Sequence, residues 1–245
     1  MIRVTSLRKH FGDVRAVDGV TFAAPDGQVT GLLGPNGAGK TTTLRMLYTL
    51  MRPDAGQILV DGIDAVDDPQ GARFALGVLP DQSGLYPRLT AREHIEYFGE
   101  LQGITGSELR QRTEHLLQML DMTAIADRRV AGFSHGERTK TALARAIVHN
   151  PKNVLLDEPT NGLDVMSTRA VREIIRRLKG EGHTVLFSSH VMQEVSALCD
   201  TIVVIARGRS VAAGTPDDLR TQTGHQNLED AFVALSGLEA EGQPS

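Results

Sequence analysis

Residues 34–41 read Gly34-Pro35-Asn36-Gly37-Ala38-Gly39-Lys40-Thr41 and fit the pattern G-x-x-x-x-G-K-[ST]. Glycines let a backbone curl until several N–H groups point inward at phosphate oxygens. A helix starting just after such a loop adds the positive end of its dipole. In that setting Lys40 reaches the β- and γ-phosphates of a nucleotide, and the Thr41 hydroxyl ligates Mg²⁺. An accidental lysine in a glycine-rich turn is the plain alternative. It loses because both fixed glycines and the lysine are met between a strand and a helix.

A second group supplies acids. Val154-Leu155-Leu156-Asp157-Glu158 is an apolar strand ending in two carboxylates. Asp157 is placed to hold Mg²⁺, directly or through water, and Glu158 to polarise an attacking water as general base. Alone, the two acids would read as a cap on the next helix; a phosphate loop upstream reverses that preference. Ser188-Ser189-His190 closes another apolar strand. Ligands of open parallel sheets gather at the carboxyl ends of strands, so Lys40, Asp157 and His190 converge on one edge. Ser134-His135-Gly136-Glu137 has capping-box spacing at a helix start. It is also a candidate phosphate-binding helix end, and the two readings are compatible.

Several elements must position these groups. Val29 to Leu33 is a buried strand before the glycine loop, and a helix follows from about Lys40 to Leu50. Residues 1–30 read as β-structure, with turn signals at Gly12-Asp13, Asp18-Gly19 and Asp26-Gly27. Ile58 to Val60 is a further short strand, followed by Asp61-Gly62. From about Leu85 to Thr141 the pattern turns helical. Thr90 with Glu93, and Thr105 with Glu108, have capping-box spacing ahead of apolar faces. Beyond Thr141, strands at Val154 to Leu156, Thr184 to Ser188 and Thr201 to Ile205 alternate with helices. The first of those helices places Val171, Ile174, Ile175 and Leu178 on one face. Alternation of this kind builds a largely parallel, buried sheet. Leu228, Ala231, Phe232 and Leu235 share the face of a last helix, and Glu239 to Ser245 form a polar, frayed tail.

With 245 residues, 40% hydrophobic and 23% charged, the chain can build a core without staples. Its one cysteine excludes an internal disulfide and suits a reducing compartment. A net charge of -4 argues against a non-specific nucleic-acid binder. No apolar run approaches the ~20 residues of a membrane span. The first residues read as a strand rather than a signal peptide.

In this order and spacing, the motifs resemble those of the nucleotide-binding subunits of ABC transporters, and the resemblance covers nearly the whole chain. It implies an α/β fold: a P-loop NTPase core with a mostly parallel sheet, an N-terminal antiparallel β-subdomain and an inserted α-helical subdomain at about 85–141. The ATP-binding domain would span residues 1–222, and a short helix and tail 223–245. Gly34 to Thr41 align with the Walker A loop, with Thr42 just behind. Val154 to Glu158 align with Walker B and its catalytic glutamate, and Phe133 to Glu137 with the signature. Asn161-Gly162-Leu163-Asp164 match the D-loop, His190 the switch histidine, and Phe11 an aromatic that stacks on adenine.

The resemblance further implies a head-to-tail pair of such subunits, most simply a homodimer in the ATP state. One subunit's Walker A loop and the other's signature would sandwich ATP, with Ser134, Gly136 and Glu137 at the second half of the site. The pair would sit peripherally on the cytoplasmic face of the membrane. Transmembrane permease subunits would dock near residues 81–98. Three departures stand out. Where the family has a glutamine near Mg²⁺ and water, this chain offers Asp81 or Gln82. The signature carries His135 and Glu137 in place of glycine and glutamine, and Glu137 adds negative charge near the nucleotide. Phe11 replaces a tyrosine, which leaves the stacking ring intact.

Four segments resemble bacterial sodium-export ATPase subunits more narrowly: Gly84 to Thr90, Asn161 to Met166, His190 to Val195, and Leu228 to Phe232. Related subunits export drugs or antibiotics. Non-transport ATPases of the superfamily usually carry paired ATPase domains or long coiled coils, and neither pattern is present here. A nucleotide-binding regulator without turnover would not need Glu158.

Overall fold

The computed structural model describes residues 1–82 and 84–237. Its elements begin with β1 (Ile2–Phe11), β2 (Val14–Ala24), β3 (Val29–Leu33), α1 (Lys40–Leu47), β4 (Ala55–Val60) and β5 (Ile63–Asp64). Then come α2 (Pro69–Phe74), β6 (Leu76–Leu79), α3 (Ala91–Leu101), α4 (Gly106–Met119) and α5 (His135–Ile147). The remainder is β7 (Asn153–Asp157), α6 (Val165–Gly180), β8 (Thr184–Ser189), α7 (Met192–Leu198), β9 (Thr201–Ala206), β10 (Arg209–Gly214), α8 (Pro216–Thr223) and α9 (Leu228–Ser236).

Two sheets organise the chain. An antiparallel sheet has the order β2-β1-β4-β5. A second has the order β10-β9-β3-β8-β7-β6, parallel throughout except for edge strand β10. The central strands are mostly apolar because both faces are covered, with Thr30 in β3 and Ser188 in β8 among the buried polar exceptions. Alternate side chains still part company. Val29, Leu33, Val154, Leu156, Val185, Phe187, Ile202 and Val204 enter one core with α3, α4, α5 and α6. Leu32, Leu155, Leu186, Val203 and Ile205 enter the other, with α1 and the antiparallel sheet. The parallel sheet is thus clamped from both sides, and the loops at its carboxyl edge inherit a rigid base.

Three local expectations need correction. Asp18-Gly19 is not a turn but a bulge within β2: the register jumps from Leu7↔Val20 to Arg8↔Asp18, and Gly19 takes φ 105. The helix after the glycine loop ends at Leu47 rather than Leu50, because Thr49 swings to φ 61. Thr105 precedes α4 but makes no cap bond, since Gly106 enters the helix at φ 63. The box at Thr90 and Glu93 does form, with both reciprocal bonds. The helix starting at His135 continues to Ile147, so a subdomain boundary near Thr141 falls inside a helix. Helix α8, which crosses residue 222, was not expected. Its signal was Thr215-Pro216-Asp217-Asp218, a capping box with proline in the first turn. The tail from Glu239 to Ser245 lies outside the described residues.

Candidate functional site

The sheet register builds the site. Leu33 at the end of β3 pairs with Ser189, and Asp157 at the end of β7 pairs with Ser188. Three neighbouring strands therefore deliver the phosphate loop, the acids and His190 to one edge. Gly39 is the N-cap of α1 with no side-chain cap, and the first turn carries no acid. The orphan N–H groups at that helix end are free to receive an anion. Gly39 sits at φ 104, and a Cβ there would lie 2.5 Å from the Ala16 carbonyl. Gly34 is equally confined, with a Cβ position 2.3 Å from the Ile205 carbonyl. Gly39→Ala is expected to cost about 1–3 kcal/mol from the backbone alone. For a chain of this size, that lowers the unfolding midpoint by about 2–4 °C per kcal/mol. Nucleotide affinity should fall with it. A thermal melt and a fluorescent-ATP titration check this; unchanged values in both would contradict the loop geometry.

Lys40 is 5% exposed. Its Nζ donates to the Gly34 carbonyl at 2.7 Å and the Pro35 carbonyl at 3.2 Å, and lies 3.3 Å from Glu158 Oε1. The other Glu158 oxygen, Oε2, lies 2.9 Å from His190 Nδ1. Glu158 itself sits at φ 49, an uncommon conformation for a non-glycine residue. Such strain, of order 1–3 kcal/mol, is held by the surrounding structure and clusters at working sites. Here Ser188 Oγ accepts from the Glu158 N–H at 2.9 Å, and the Glu158 carbonyl accepts from Asn161 N–H at 3.1 Å.

Asp157 is buried, 2% exposed. Its Oδ1 accepts from Ser188 Oγ at 2.6 Å and Thr41 Oγ1 at 3.2 Å. Its Oδ2 is buried with no hydrogen-bond partner. Burial raises the carboxyl above its ordinary range, against the pull of the two hydroxyls and with the charges of Asp81 and Glu158 adding to the rise. A buried carboxylate oxygen without a partner, beside a hydroxyl, suits a hard divalent cation with oxygen ligands. Asp157 and Thr41 therefore fit Mg²⁺.

Lys40, Thr41, Asp157, Glu158 and His190 line a cavity of about 480 Å³, which Asn36, Gly37, Ala38, Gly39 and Thr42 also border and which Gly34 and Pro35 do not. Asp81 lines it and Gln82 does not; Asp81 lies 3.5 Å from Arg45 Nη2. Phe11 is 48% exposed at the end of β1 and lies outside the lining. Asp164 also lies outside it, as the N-cap of α6. Its oxygens accept from Met166 N–H, Ser167 N–H and Ser167 Oγ at 2.8–2.9 Å. These bonds, led by the Ser167 backbone, hold its carboxyl below the usual range.

The start of α5 forms the expected capping box. Ser134 Oγ accepts from Glu137 N–H at 3.2 Å, and Glu137 Oε2 accepts from Ser134 N–H at 2.7 Å. Glu137 also pairs with Arg128 at 3.4 Å, which offsets the negative charge noted in the sequence. Gly136 is packed so closely that a Cβ would meet Ser167 Oγ at 2.4 Å. Ser134 and Gly136 do not border the cavity; His135 and Thr139 of the same helix do. His135 Nε2 lies 3.0 Å from the Asn161 carbonyl. Sequence reasoning passed over Ser188 as a site residue. A polar residue inside an otherwise apolar central strand was the available signal.

Among the described residues no helix is long and apolar enough to cross a membrane. The ABC transporter family model matches residues 17–161. The chain is 43% identical over 239 residues to the ABC transporter ATP-binding protein NatA of Bacillus subtilis, covering 96% of this chain and 97% of that protein. It is 38% identical over 228 residues to the daunorubicin resistance ATP-binding protein DrrA3 of Streptomyces coeruleorubidus, covering 93% and 72% respectively. It superposes with a TM-score of 0.80 and 25% identity on a dimeric, post-hydrolysis ATP-binding cassette bound to ADP and Pi, covering 88% of this chain and 98% of that one.

Proposed function

The chain belongs to the ABC transporter family, and from that premise we propose that it powers export of sodium ions through separate membrane subunits. It is an ATP-binding, ATP-hydrolysing subunit of an ABC transporter. One observation carries the hydrolytic assignment: Glu158 stands between Lys40 Nζ and His190 Nδ1, at 3.3 and 2.9 Å, above the phosphate loop. In this assignment Glu158 accepts the proton of the attacking water, and His190 orients that carboxylate. Lys40 and the loop N–H groups hold phosphate oxygens. Thr41 and Asp157 would hold Mg²⁺, whose charge offsets that of the phosphates. Asp81, rather than Gln82, takes the place beside water and metal, since it borders the cavity.

Ser134 and Gly136 are assigned to a second copy's nucleotide, because they do not border their own chain's cavity. The likeness to a dimeric cassette supports pairing. Phe11 is assigned to adenine and Asp164 to the shape of the D-loop. Docking of membrane subunits near residues 81–98 is supported by an apolar cavity of about 520 Å³ between Tyr86, Pro87, Arg88, Leu89 and Tyr97. With such a partner the protein sits peripherally on the membrane, and the cytoplasmic side is the one the family resemblance implies.

The sodium reading rests on the four sequence segments that resemble sodium-export subunits. Similarity to DrrA3 favours drug export as the second reading. Reconstitution of the chain with its co-purifying membrane protein separates them. ATP-dependent ²²Na⁺ flux, abolished by Glu158→Gln, is expected. Flux of an anthracycline without sodium movement would overturn sodium in favour of drug export.

A further inference from the structure

We propose that Glu194 is a positioning residue for hydrolysis, setting the Glu158–His190 pair from behind through Thr160 and Ser189. The proposal rests on the hydrolytic roles given above to Glu158 and His190. Glu194 lies on α7, is 4% exposed and touches none of the cavity. Its Oε2 accepts from Thr160 Oγ1 at 2.5 Å and from Ser189 Oγ at 3.2 Å. Thr160 follows Glu158 by two residues, and Ser189 directly precedes His190. A ring of contacts therefore closes: Glu158 to His190 in front, and Thr160 to Glu194 to Ser189 behind. Ser189 Oγ also accepts from Val191 N–H at 3.0 Å, which pins the loop on the far side of His190. The Thr160 carbonyl accepts from Leu163 N–H at 3.1 Å, which pins the turn beyond Glu158.

A stability role alone explains this poorly. The ion-pair partner of Glu194 is Arg172, whose Nη2 stands 3.7 Å from Oε1. Arg172 Nε is buried without a hydrogen bond. A buried carboxylate with a long, half-satisfied ion pair is weak support for folding. Its hydrogen bonds, short to Thr160 and longer to Ser189, go instead to the two segments that carry the reacting side chains. Both segments follow sheet strands with rigid bases, so the carboxylate fixes the remaining freedom between them. Small misplacement of a general base is costly, about 10²-fold for ~1 Å.

The test uses the full chain with Mg-ATP. Thr160→Val and Ser189→Ala each remove one hydroxyl from Glu194 without leaving a buried charge unpaired. Each is expected to lower kcat about 10-fold or more. KM and fluorescent-ATP affinity should stay within about 2-fold, since ground-state binding is untouched. Thr160→Ser, which restores the hydroxyl, should recover most of kcat. Loss of kcat only in proportion to lost folded protein, a change in KM rather than kcat, or no rescue by Thr160→Ser would each overturn the proposal. Glu158→Gln serves as the reference. If it turns over normally, the underlying hydrolytic reading fails; if it is inactive while Thr160→Val is normal, only the role of Glu194 fails.

Discussion

Glu158→Gln is expected to cut ATP turnover by about 10²–10⁴-fold while leaving ATP affinity near that of the native chain. The amide keeps the size of the side chain and a hydrogen bond toward His190, so the strained backbone at φ 49 can persist. It cannot accept the proton of an attacking water. Removing the negative charge also frees Lys40 from its contact at 3.3 Å, which favours phosphate binding rather than opposing it. ATP should therefore accumulate unhydrolysed, and the ATP-bound pair of chains should persist during size-exclusion chromatography. Phosphate release and elution volume check the two halves of this prediction. Normal turnover by the variant would remove Glu158 from the role of base.

Lys40→Ala is expected to weaken nucleotide binding by about 10–100-fold, the range of one or two charge-assisted hydrogen bonds lost to phosphate. The residue is almost fully buried, and its amine is the cationic group closest to Glu158 among the contacts in the cavity. Removing it leaves Glu158 without its cation and takes the Lys40 donor from the Gly34 carbonyl, while the Pro35 carbonyl keeps the Ala38 N–H. Repulsion between the uncompensated carboxylate and incoming phosphates adds to the loss. A fluorescent-ATP titration checks this, with a melt to confirm folding. An unchanged dissociation constant would overturn the phosphate-loop assignment.

The parts of the fold that were plain from sequence share one physical cause. Strands buried on both faces are mostly apolar, so Val29 to Leu33, despite its buried Thr30, and Val154 to Leu156 stood out against the acids and glycines at their ends. Capping boxes at Thr90 and Ser134 were legible because their spacing reports a local bond. The same spacing misled at Thr105, where a neighbouring glycine changed the entry of the chain. Asp18-Gly19 misled because a bulge and a turn use the same residues, and only the partner strand distinguishes them. That Asp81 borders the cavity while Gln82 does not depends on how the chain leaves β6, which two adjacent polar residues in a sequence do not report. Glu137 looked like added charge near a nucleotide. Its neutraliser, Arg128, lies nine residues away and beyond any helical period. Ser188, Thr160 and Glu194 were illegible for a similar reason: their bonds join segments about 30 residues apart.

Calorimetric titration of Glu158→Gln with ATP, in the presence and absence of Mg²⁺, bears most directly on the arrangement of Gly34 to Thr41 opposite Asp157 and Glu158. Heat uptake at one nucleotide per chain, strengthened by Mg²⁺ and lost in the additional absence of Lys40, is the result predicted. No heat with Mg-ATP from a folded chain would contradict it.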